Sequence, residues 1–572
     1  MKALSSGLIA ALLAPVLVGA AAPALSQSSP GGVPDNATPP ASIGPAPAPA
    51  GPAPAAPRTP PRLIVAISVD QFSADLFAQY RNHYTDGMAR LAGGVVFPSG
   101  YQSHAATETC PGHSTILTGM RPAHTGIIAN SWIDQNAPRA DKTVYCAEDE
   151  RVAGTDHDKY QPSDLHLKVP TLGDMMKRAN PASRVVSVAG KDRAAIMMGG
   201  HNTDQIWFWG GSSFISLAGR QQPAVVTRAN DAVGKLLAAP QAALPLPGYC
   251  KGLSQPISVG GQTLGTGRFE REAGDQKAFR ASPALDGAVF ALAAGLIQDM
   301  KLGQGNAPDL IAIGASATDY IGHSRGTQGA EMCIQMAQLD QTIGAFLAQL
   351  DAWGLDYEVM LTADHGAHDM TERQQQRAMP MEEHLDTAAA SKLVGAAIGR
   401  DLNIAGPVLL GGAEGDIYVA DTVPAAKRAA VLAEAAKRYR ALPQIAAAYT
   451  RDEIMASRMA TTPPETWTLL ERVRASYDPQ RSGDLIVLPR PRVTSITAPA
   501  PYYVETHGSP WDYDRRVPIL FWRKGLTAFE QPLSVETVDI APTLAATIGL
   551  PVTGLDGRCL DLDASAADTC RR

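Results

Sequence analysis

Leu63-Ile64-Val65-Ala66-Ile67-Ser68-Val69-Asp70 decides the fold. An apolar run without alternation suits a strand covered on both faces, as in a parallel sheet. Arg184-Val185-Val186-Ser187-Val188, Leu310-Ile311-Ala312-Ile313-Gly314 and Tyr357-Glu358-Val359-Met360-Leu361-Thr362 read the same way, and Val517-Pro518-Ile519-Leu520-Phe521 is a further strand candidate. Helical patterns lie between them, such as Glu331 to Leu350 and Ala425 to Leu442. Strands alternating with helices predict an α/β fold: a doubly wound, mostly parallel central sheet with helices on both faces. Residues near 202–285 and 371–480 depart from that rhythm and are expected to form cap-like insertions.

Upstream of the first strand the composition changes. Residues 1–26 read as a secretory signal: Lys2, an apolar stretch from Leu8 to Val18, then small residues around Ala24-Leu25-Ser26. Residues 27–61 are rich in Pro, Ala, Gly and Ser and are expected to be a disordered spacer. A catalytic domain is expected over 62–572. No later segment has eighteen uninterrupted apolar residues, so no membrane span is expected after signal cleavage. The expected location is periplasmic or secreted. In such a compartment disulfides are the default for Cys110, Cys146, Cys250, Cys333, Cys559 and Cys570. Cys559 is expected to pair with Cys570, and the other connectivities stay open. The net charge of −7, with 18% charged residues among 572, argues against a broad nucleic-acid-binding face.

The chemistry is read from where acidic and histidine residues fall. Asp70 ends the first strand, Asp319 follows the strand at Leu310, and Asp364-His365-Gly366 follows the strand at Tyr357. Ligands of open α/β sheets bind outside the carboxyl ends of strands, so three carboxylates would converge on one crevice. They would repel each other unless cations lay between them. His323 is four residues after Asp319, and oxygen with imidazole ligands suits zinc. Taken singly, such an Asp is more often only a helix cap.

Thr107-Glu108-Thr109-Cys110-Pro111-Gly112-His113-Ser114-Thr115 supplies a second signal. Pro111 suits the first turn of a helix, which sets Thr109 at or just before the N-cap, where free N–H groups attract an anion. A hydroxyl there beside a metal ion can act as a nucleophile. In Gly190-Lys191-Asp192-Arg193, two cations after a strand can clamp phosphate oxygens.

Together, the Asp70 strand end, Thr109-Cys110-Pro111-Gly112-His113, Asn130, Asp319-x-x-x-His323, Asp364-His365-Gly366 and Thr506-His507-Gly508 resemble the type I phosphodiesterase/nucleotide pyrophosphatase group of the alkaline-phosphatase superfamily. The resemblance spans about residues 62 to 555. It implies two zinc ions, one held by Asp319, His323 and His507, the other by Asp70, Asp364, His365 and Thr109. Only the resemblance picks His507 from the other histidines. With Asn130, Lys191 and Arg193 present, the chain looks like the bacterial threonine-nucleophile alkaline phosphatases. These would hydrolyse small-molecule phosphate monoesters through a phosphothreonine at Thr109. Asn130, Lys191, Arg193 and the backbone N–H of Cys110 would hold the phosphoryl oxygens. Cys110 departs from the commonly aromatic residue after the nucleophile. Two alternatives are a phosphodiesterase or nucleotide pyrophosphatase on the same scaffold, and an inactive phosphate-ester-binding protein.

Overall fold

The computed structural model describes residues 59–377, 379–564 and 568–571. The expected signal and nearly all of the expected spacer lie outside them. A ten-stranded sheet forms the core. Its strands are β1 (Leu63–Val69), β2 (Val95–Tyr101), β3 (Val185–Ala189), β4 (Gln205–Trp209), β5 (Phe214–Ile215), β6 (Asp309–Ala315), β7 (Tyr357–Thr362), β8 (Arg516–Arg523), β9 (Phe529–Glu530) and β10 (Val535–Glu536). The order is β9-β2-β8-β7-β1-β6-β3-β4-β5, with β10 also on β2. β1 lies centrally, parallel to β6 and β7. The strand at 517–521 is present but antiparallel to both of its neighbours, β7 and β2.

Both faces of the sheet are buried, which explains the unbroken apolar runs. Leu63, Val65, Ile67 and Val69 of β1 pack into one core, and Ile64 and Ala66 into a second core on the opposite face. Using apolar residues on both faces removes alternating side chains from water at about 25 cal/mol per Å². The helices that matter to the site are α1 (Thr109–Thr118), α2 (Asp192–Gly199), α3 (Pro283–Met300), α4 (Ala317–Arg325) and α5 (Ala330–Ala352). α3 and α5 cover the first face, while Ile116 and Leu117 of α1 enter the second.

The segment from 202 does not leave the main sheet at once, because β4 and β5 extend its far edge. The later segment builds a separate antiparallel sheet of Leu409–Gly411, Gly415–Val419, Ile445–Thr450 and Leu485–Pro489, with its own core. The last strand of that sheet falls beyond residue 480. All six cysteines pair: Cys110–Cys146, Cys250–Cys333 and Cys559–Cys570. No helix of the described residues is long and apolar enough to cross a membrane.

Candidate active site

Asp70 follows β1, Asp364 follows β7, and Asp319 lies in the first turn of α4 after β6. Neighbouring parallel strands end side by side, so the three carboxylates meet, each no more than 1% exposed. Gln71, next to Asp70, adopts a left-handed backbone at φ 65° and donates its N–H to Asp364 Oδ1 at 3.1 Å. Such strain in a non-glycine residue persists where the surroundings enforce it.

One lysine and three imidazoles collect around these acids. Lys191 Nζ lies 2.7 Å from Asp70 Oδ2 and 2.5 Å from Asp319 Oδ2. His365 Nε2 lies 3.5 Å from Asp70 Oδ1 and 3.2 Å from Asp364 Oδ2, and His323 Nε2 and His507 Nε2 each lie 3.3 Å from Asp319 Oδ1. Burial, then Asp319 and Asp364, pushes Asp70 up to about 7. Burial works against ionisation of Asp319 too, yet Lys191 and His323 hold it well below the usual carboxylate range. Against the same burial penalty, Asp364 and the other acids lift His365 to about 9.

The six carboxylates and imidazoles expected as ligands therefore lie in one cluster, and its chemistry fits cations. His323, His365 and His507 each place Nδ1 against a backbone carbonyl: Glu505 at 2.7 Å, Gly366 at 2.9 Å and Thr107 at 2.8 Å. A carbonyl only accepts, so Nδ1 carries the hydrogen and, in the neutral ring, Nε2 is left to offer its lone pair inward, as metal-bound histidines do. Asp319, His365 and His507 bring ligand atoms within 4.8 Å of one another, and so do Asp70, His113 and Asp364. The first grouping puts His365 with the residues expected around the other ion. The second adds His113, which the sequence reading quoted in a motif and gave no role. Its Nδ1 meets Thr109 O at 2.9 Å and Asp364 Oδ2 at 3.0 Å. That nitrogen must also be the protonated one, so His113 orients Asp364 as a donor. Its position one helical turn after Thr109 was the available signal.

Thr109 is the first residue of α1, one place further in than expected, with Glu108 at the N-cap and Pro111 in the first turn. α1 approaches this cluster closely: a Cβ on Gly112 would lie 2.0 Å from Asp364 O. Thr109 Oγ1 lies 3.3 Å from Lys191 Nζ and 3.5 Å from Arg193 Nη2. Lys191 is the N-cap of α2 and Arg193 lies in its first turn. Lys191 thus faces both the hydroxyl and the carboxylates, not only the place of a phosphate.

Cys110 requires a correction. Its N–H donates to Asn130 Oδ1 at 2.8 Å and its sulfur is bonded to Cys146, so it has no polar group free for a substrate. Asn130 is left with its amide Nδ2 as a donor. Sequence reasoning also missed the support behind Arg193. Tyr145 donates to Asp192 Oδ1 at 2.8 Å, Tyr160 donates to Asp192 Oδ2 at 2.7 Å, and Arg193 Nη1 donates to the Tyr145 hydroxyl at 3.3 Å. Burial and Asp192 keep the Tyr145 hydroxyl protonated.

A parallel sheet whose strand ends gather acids, imidazoles and a helix-borne threonine is the framework of a metallo-phosphoesterase. The chain belongs to the type I phosphodiesterase/nucleotide pyrophosphatase family, which it matches over residues 64–510. It is 56% identical over 519 residues to alkaline phosphatase PhoK of a Sphingomonas species, covering 90% of this chain and 93% of that one. It is 48% identical over 517 residues to alkaline phosphatase PhoD of Zymomonas mobilis, covering 89% of each. Among solved structures, that of alkaline phosphatase PafA superposes with a TM-score of 0.77 at 24% identity, covering 88% of this chain and 99% of that one. A PafA sequence from Elizabethkingia meningoseptica is 27% identical over 543 residues, covering 87% and 95%.

Proposed function

We propose that this chain is a zinc-dependent alkaline phosphatase that hydrolyses phosphate monoesters through a phosphothreonine at Thr109. One observation carries the reading: the Thr109 hydroxyl, at a helix start, stands beside Arg193 and beside Lys191, which joins it to a cluster of three buried carboxylates and three imidazoles. The names of the relatives support the activity.

Asp319, His323 and His507 would hold one ion, and Asp70, Asp364 and His365 the other, with Thr109 Oγ completing it. When bound, the two cations supply Lewis acidity that lowers the pKa of the Thr109 hydroxyl and offsets charge on the departing oxygen. Thr109 Oγ1 attacks phosphorus in line, and the bond to the leaving oxygen breaks with its electron pair. Arg193, Lys191 and Asn130 Nδ2 hold the transferred oxygens. Water then attacks the phosphothreonine, releasing phosphate and returning the threonine. A monoester carries one more negative charge on its nonbridging oxygens than a diester, which is the charge Lys191 and Arg193 meet. The three disulfides support an exported protein.

Thr109→Ala is expected to cut p-nitrophenyl phosphate turnover on the order of 10⁴-fold while leaving zinc content intact. Wild-type activity in that variant would overturn the nucleophile. Faster turnover of bis-p-nitrophenyl phosphate than of p-nitrophenyl phosphate by the native enzyme would instead favour a phosphodiesterase.

A further inference from the structure

The candidate active site opens into a cavity of ≈ 690 Å³, lined at one end by Asn130, His323 and His507. That volume falls in the range that encloses a small organic ligand. Its other wall comes from the antiparallel sheet and the loops beside it. Glu108, Glu414 and Asp416 contribute carboxylates, and Tyr503 contributes an exposed aromatic ring. None of the lining residues is a lysine or arginine. Asp416 Oδ1 accepts the Gly483 N–H at 2.6 Å and Glu108 accepts the Asn130 N–H at 2.7 Å. The groups acting on Glu414 and Asp416 are neutral donors and the Glu108 carboxylate, with no cation among them. Burial, then Glu108, pushes each of the two up to about 7, so both are ionised at alkaline pH.

A monoester bound with its phosphoryl group at Thr109 must lay its alcohol in this cavity. We propose that the cavity selects phosphate monoesters whose alcohol carries an ammonium or quaternary ammonium group, and disfavours those bearing further phosphates or carboxylates. The inference rests on the phosphatase reading. An ammonium there is attracted by the Glu414 and Asp416 carboxylates, on which no cation acts, and by the exposed Tyr503 ring, an interaction strengthened by partial exclusion of water. A second anionic group meets those two carboxylates there and no lining lysine or arginine to offset them.

The test compares kcat/KM for phosphocholine and 3,3-dimethylbutyl phosphate, which share a shape and differ in the charge of one atom. The more acidic alcohol of phosphocholine raises its intrinsic reactivity, so the same ratio is measured in an E414Q/D416N double variant. The phosphocholine preference is expected to fall about tenfold in that variant. A ratio equal in both proteins overturns the inference. Calorimetric binding of choline and of 3,3-dimethylbutan-1-ol to the native enzyme reads the cavity without chemistry or substitution. Tighter choline binding supports the inference, and equal or weaker binding overturns it. Absence of p-nitrophenyl phosphate turnover would be a failure of the phosphatase reading. Turnover with no charge preference would be a failure of this inference alone.

Discussion

Lys191 holds its ammonium 3.3 Å from the Thr109 hydroxyl while the same nitrogen bridges Asp70 and Asp319. One side chain therefore joins the proposed nucleophile to the carboxylates around it. Lys191→Ala is expected to lower kcat/KM for p-nitrophenyl phosphate by ~10²-fold. The loss for bis-p-nitrophenyl phosphate should be smaller, since a diester brings less charge to that position. Side-by-side kinetics on the two substrates check this.

Asp192 is gripped by two tyrosine hydroxyls, one of which accepts from Arg193. Asp192→Asn weakens both donors' acceptor and frees the arginine to swing. The monoester-to-diester rate ratio should fall toward that of Arg193→Ala, and inorganic phosphate should inhibit less. A drop in melting temperature with an unchanged ratio would leave Asp192 a purely structural residue.

Stripping metal with a chelator leaves three buried carboxylates facing each other with only Lys191 and protonated His323 and His365 to offset them. Activity should vanish, the thermal midpoint should fall, and zinc should restore both, because a ligand that binds only the native state stabilises it by mass action. Calorimetry with and without added zinc checks the linkage.

Much of this site was legible because a parallel sheet turns sequence order into position. Asp70, Asp319 and Asp364 each follow an apolar run, and adjacent strands must end together. His507 sits on a loop whose path depends on hundreds of intervening residues, and only its motif singled it out. The Tyr145–Asp192–Tyr160 contacts were invisible for the same reason: no local pattern brings residue 145 to residue 192. The apolar run at 517–521 revealed a strand but not its direction, since burial on both faces looks the same read either way. The Cys110 N–H was expected to face substrate, and the Asn130 side chain takes it instead.

His104, outside the proposed ligand set, gives a pH prediction. It is fully buried, and burial followed by Arg515 holds its pKa down to about 3, against 6.5 for the ordinary group. Between those values the unfolded chain binds a proton that the folded chain refuses. The stability contributed is therefore complete above about 6.5 and is lost as pH falls toward 3, by at most about 1.4 kcal/mol per pH unit. Urea midpoints from pH 8 to pH 5 should decline less steeply in His104→Gln than in the native protein.

β8 lies between β2 and β7, yet it is formed by residues 516–523. A chain growing from its amino end makes β2 and β7 long before the strand that joins them. Until then both carry bare edges that invite pairing with other molecules. Completion of the sheet must wait for contacts spanning more than four hundred residues along the chain, which slows folding and prolongs exposure to aggregation. A ribosome-bound fragment ending before residue 516 should therefore be protease-sensitive across the whole catalytic face.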